Sequence, residues 1–61
     1  MKIYTLFIHD DRYSVPSLDA VSAIDDRSAQ TIASARLDGS THYHAIEIWD
    51  DEREVARVER D

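Results

Sequence analysis

The run His42-Tyr43-His44 is where this chain comes nearest to a ligating constellation. Two histidines at i and i+2 on a strand project from one face, so their ring nitrogens can converge on a single metal ion. His9, with Asp10 or Asp11 beside it, adds further ligands if the first strand lies alongside. The structural reading sets His44 at the margin of a core beside Ile46 and makes His42 a solvated strand start. No spacing here matches a zinc or iron signature. A metal-binding or metal-sensing module through His9, His42 and His44 therefore stands as the alternative function, and no cofactor is expected.

Three carboxylate pairs, Asp10-Asp11, Asp25-Asp26 and Asp50-Asp51, invite a catalytic or calcium reading. Each falls where the backbone must turn or a helix must start, places that favour Asp for its local hydrogen bonds. None has the spacing of a calcium loop. The serines lack a glycine-flanked nucleophile turn, and one glycine in the whole chain leaves no phosphate-cradling loop. A substrate pocket of about 300 Å³ or more is hard to enclose in so short a chain, so the expectation is no enzyme. Trp49 is different: with Arg53 or Arg57 nearby it suits a binding anchor or a cross-strand packing contact equally well.

These residues need elements to position them. Lys2 to His9 is rich in β-branched and aromatic residues and reads as a strand, apolar on both faces and so suited to the middle of a sheet or the underside of a partner. Asp10-Asp11 reverses the chain. Residues 12–24 admit two readings. A long helix capped by Ser17 would put Asp25 and Arg36 inside its apolar stripe. A helix over Asp26 to Leu37, capped at Asp25 or Asp26, has Ala29, Ile32, Ala33 and Leu37 on one face and Gly39 as its stop. The shorter helix is preferred, with Tyr13 to Ile24 an irregular strand that is broken or at a sheet edge near Pro16.

Thr41 to Trp49 alternates, with His42, His44, Ile46 and Ile48 on one face and Tyr43, Ala45, Glu47 and Trp49 on the other. Asp50 to Glu52 turn, and Arg53 to Val58 returns as the last strand. The loop length is open, and with it the register. Glu59, Arg60 and Asp61 are expected to fray. The order strand, strand, helix, strand, strand predicts an α+β fold, a four-stranded antiparallel sheet with one helix on one face, in a single domain over residues 1–61.

Sixty-one residues bury a thin core, and without cysteine there is no disulfide framework to supplement it. Thirteen acidic against seven basic residues give a net charge of -6, which repels phosphate backbones. Nucleic acid is thus not an expected partner, and an acidic inhibitor or nucleic-acid mimic is the remote alternative. The first eight residues are too short for a signal-peptide core or a membrane span, so a cytoplasmic protein without membrane contact is expected.

The strand and turn YTLFIHDD, the helix start IDDRSA and the closing AIEIWDDEREVARVER together resemble short bacterial proteins of unknown function built as a hairpin, an Ala-rich helix and a hairpin of the "IEVWDGDRxVxRV" kind. Those proteins often carry Gly where this chain has Asp51. The resemblance implies a fold and no activity. The expected function is a protein-interaction or self-association module, most simply a homodimer, that presents a sheet face or an edge strand. Tyr4, Tyr43, Trp49 and Val55 are its expected contact residues.

Overall fold

The structure is a computed structural model, and it describes residues 1–60. Strand β1 (Lys2–Asp10) is followed by β2 (Ser17–Ala23), helix α1 (Asp26–Asp38), β3 (Tyr43–Asp50) and β4 (Arg53–Glu59). The four strands form one antiparallel sheet in the order β2-β1-β3-β4. β1 is therefore interior, which accounts for its apolar residues on both faces. The preferred reading of residues 12–24 holds for Ser17–Ala23: this stretch is strand, it lies at the sheet edge, and Pro16 stands just before it, where no ladder donor is needed.

Helix α1 carries the chain across β1, from the edge strand β2 to β3. Asp25 caps it, its carboxylate accepting the Ser28 N–H at 2.8 Å. Its buried face is Ala29, Ala33 and Leu37 with Ile32 beside them, a stripe of mostly small residues that lets the helix approach the sheet closely. Against it stand Tyr4, Leu6 and Ile8 of β1, Ile46 and Ile48 of β3 and Ala23 of β2. Gly39 is the C-cap, but with φ -76 it uses none of glycine's left-handed freedom. The helix end is held instead by Arg60. Its guanidinium donates to the backbone carbonyls of Leu37, Ser40 (2.6 Å) and Tyr43 (2.9 Å), and its own N–H to His44 O at 2.9 Å. The expected fraying is thus replaced at Glu59 and Arg60 by a strand end and a clamp; Asp61 lies outside the described residues.

Two bulges reset the faces. Between His9 and Asp10 the pairing steps from Ala45 to Tyr43, leaving His44 as the extra residue. Tyr43 consequently packs with the core on the helix side, while the His44 ring comes within 6.0 Å of His9 on the opposite face. The expected shared face of His44 with Ile46 and Ile48 is corrected accordingly. In β4 the pairing steps from Ala56 to Glu54, leaving Val55 extra and packed against the core. The β3–β4 loop is Asp51-Glu52, and Asp51 takes φ 58, the left-handed region where glycine is favoured. Among the described residues no helix is long and apolar enough to cross a membrane.

Candidate interaction surface

The helix covers one face of the sheet. The other carries Ile3, Thr5, Phe7 and His9 of β1, the residues that alternate with Tyr4, Leu6 and Ile8. Register then places Ser22 beside Ile3, Ala20 beside Thr5 and Leu18 beside Phe7 on β2, and Trp49 beside Thr5, Glu47 beside Phe7 and Ala45 beside His9 on β3.

This open face divides into two bands. At one end Glu47 is a hub: its Oε2 lies 2.6 Å from His9 Nε2 and accepts from Arg57 Nη1 at 3.4 Å, and its Oε1 accepts the Trp49 indole N–H at 3.0 Å. The His9 contact, then the indole bond, hold the Glu47 carboxyl below the usual carboxylate range. The apolar band runs from Trp49 through Phe7, whose rings tilt together at 6.1 Å and 52°, to Leu18 and Ile3 at the β2 side.

The large apolar side chains left open to solvent are concentrated in one region. Met1, Ile3, Tyr13, Val15, Leu18 and Ile24 are each at least 61% exposed, and all lie in the β1–β2 hairpin or at its ends. The helix, β3 and β4 expose no large hydrophobic to that degree. β2 is also a free sheet edge. The Ala20 N–H is held by the carboxylate of Asp19 next to it, at 2.9 Å, which marks Ala20 as a residue whose backbone groups point away from β1. Asp19 in turn pairs with Arg36 of the helix. The opposite edge is blunted: β4 carries Arg53, Glu54, Arg57 and Glu59 in seven residues and a bulge at Val55.

Of the four contact residues expected from sequence, only Trp49 lies on the open face. Tyr4 is fully buried beneath the helix, where its hydroxyl donates to Asp26 Oδ1 at 2.7 Å, so it has no surface to offer. Burial first, then that bond, push the Tyr4 phenol up to about 12. Tyr43 is half-buried at the C-terminal end of the helix, where it lines a shallow groove of about 500 Å³ with Ile32, Arg36 and Ser40. Val55 belongs to the rim of the core. The residues missed are Ile3, Val15, Leu18 and Ile24. Their apolarity was visible, but which face or edge they occupy depends on how residues 12–24 fold and pair, and the sequence alone admitted both strand and helix there.

The three histidines are not brought together. His9 and His44 share the open face, whereas His42 lies in the exposed link with its Nδ1 3.4 Å from Asp11 Oδ1. Among the described residues no group of three or more His, Cys, Asp or Glu side chains is placed to hold a metal ion. The carboxylate pairs have structural work. Arg12 donates to both Asp10 oxygens through Nε (3.0 Å) and Nη2 (2.7 Å) and through its backbone N–H (2.8 Å). Those bonds hold the buried Asp10 carboxyl down to about 2. Asp26 accepts from Tyr4 and Arg53, and Asp50 from Lys2 and Arg53.

No match decides a family for this chain. Neither protein-family models, nor curated proteins, nor solved structures give one. What it does must be read from its own surface.

Proposed function

We propose that this protein is a self-association module without catalytic activity, and that its contact surface is the β1–β2 hairpin, taken by a second copy of the chain. The observation that carries this reading is the confinement of the six most exposed large hydrophobics to residues 1–24. A soluble chain scatters single apolar residues over its surface, whereas a contiguous group marks a contact. The polar contents of the open face fit the same reading, because Glu47 draws His9, Trp49 and Arg57 into one network of hydrogen bonds.

A standard interface takes about 800 Å² from each partner, roughly a fifth of this chain's 4119 Å² of accessible surface. The sheet edge by itself is too small, so the flanking Tyr13, Val15 and Ile24 belong to the contact. The test is a dilution series followed by backbone amide NMR, from about 1 mM to about 10 μM. The amide signals of residues 1–24 move with concentration while those of the outward face of α1 stay fixed. Signals that are unchanged throughout contradict the proposal.

A further inference from the structure

We infer that two copies join by antiparallel pairing of their β2 strands about a two-fold axis at Ala20, extending the sheet to eight strands. The inference rests on the self-association reading and specifies its geometry. In this arrangement residue i of one copy meets residue 40 − i of the other, and three features of the chain fit that rule.

The first is the edge itself. The Ala20 N–H points away from β1, toward its neighbour's carboxylate. Alternation along an antiparallel strand then gives Leu18, Ala20 and Ser22 outward backbone groups. Under the two-fold, Ala20 meets Ala20 and Leu18 meets Ser22, so outward groups meet outward groups and up to about six ladder bonds can form. The Asp19 carboxylate is a placeholder for the Ala20 carbonyl of the second copy.

The second is charge. β2 holds one charged residue, Asp19, and the two-fold sets it opposite Val21 rather than opposite itself. The seam is lined by small residues, Ala20 and Ser22, on the open face, so Leu18 of one copy and Ile3 of the other flank the Ser22 between them.

The third is the placement of the exposed hydrophobics at the two ends of β2. Val15, 70% exposed, precedes the strand, and Ile24, 69% exposed, follows it. An isologous contact brings opposite ends of the element together, and here it sets Ile24 against Pro16, the neighbour of Val15, at both ends of the seam.

The test uses the absence of cysteine. In a hydrogen-bonded antiparallel pair the Cα atoms of residues 20 lie about 5.5 Å apart, inside the disulfide range of about 4.4–6.8 Å. Ala20→Cys under mild oxidant is expected to give a disulfide-linked dimer, while Ser34→Cys, on the exposed face of the helix, cross-links at least tenfold more slowly. Light scattering on the unmodified chain is run beside it, and Ile24→Glu is expected to weaken the dimer at least tenfold. A dimer that does not cross-link faster through Ala20→Cys than through Ser34→Cys overturns the β2 pairing and leaves self-association standing by another surface. A chain that is monomeric at about 1 mM overturns both.

Discussion

Asp10 is a buried carboxylate whose charge is maintained by Arg12, first through the side-chain hydrogen bonds and then through the backbone one. Its folded pKa, about 2, lies below the ordinary 3.8. The folded chain therefore binds this proton less readily than the unfolded one. The stabilisation is complete above about pH 5 and drains as pH falls through the ordinary carboxylate range toward 2. Asp25, Asp26, Glu47 and Asp50 are shifted the same way, so the urea midpoint falls steeply over that window, and Asp10→Asn makes the fall shallower. Tyr4 works at the other end of the scale. Raised to about 12, it contributes stability below pH 10 that is lost as pH climbs through 10 to 12. Tyr4→Phe removes that alkaline limb, seen as a flat midpoint where the wild type declines. A third residue is strained: Asp51 sits at φ 58, and Asp51→Gly raises stability by roughly 0.5–1 kcal/mol, measured as a higher Tm. The turn-forming and capping roles of Asp10 and Asp25 were legible in sequence because those bonds are local. Tyr4 was misplaced because its partner Asp26 stands twenty-two residues away.

At the scale of elements, three strands and the helix were visible in the apolar periodicity, whereas residues 12–24 read as strand only because a longer helix would put Asp25 and Arg36 inside its apolar stripe. What periodicity could not convey was phase. One extra residue at His44 and another at Val55 exchange faces locally. They put Tyr43 and Val55 on the core side and separate His42 from His44. A bulge follows from the fit of two strands and not from either strand's own pattern. The helix end shows the same limit. Gly39 looked like a complete stop, yet the terminal carbonyls of α1 and its following link are gathered by Arg60 from the far end of the chain. Arg60→Ala is expected to cost about 1 kcal/mol, because charged donors to exposed carbonyls are worth little more than that. In a domain of this size that lowers Tm by about 4–8 °C. Thermal melting of Arg60→Ala beside Arg60→Lys checks it; an unchanged Tm in both would remove the clamp from the account of helix termination.

The whole molecule balances a thin core against a surface that is apolar on one flank and charged elsewhere. Leu6 and Ile46 are fully buried at the centre of that core. Replacing either by Ala costs about 2–5 kcal/mol, which is most of the stability a chain this short can have, so the variants are unfolded or nearly so at 25 °C. The proposed self-association would supply what the core lacks, since anything that binds only the folded form stabilises it and makes Tm depend on concentration. Two copies each carrying a net charge of -6 repel one another, so on this proposal added salt would tighten the contact instead of loosening it. The measurement closest to the central claim is the molar mass of the unmodified chain by light scattering coupled to size exclusion, at about 10 μM and about 1 mM. A mass that rises toward twice the 7.0 kDa of one chain, more readily in added salt, is the predicted result; a single-chain mass at every concentration would contradict it.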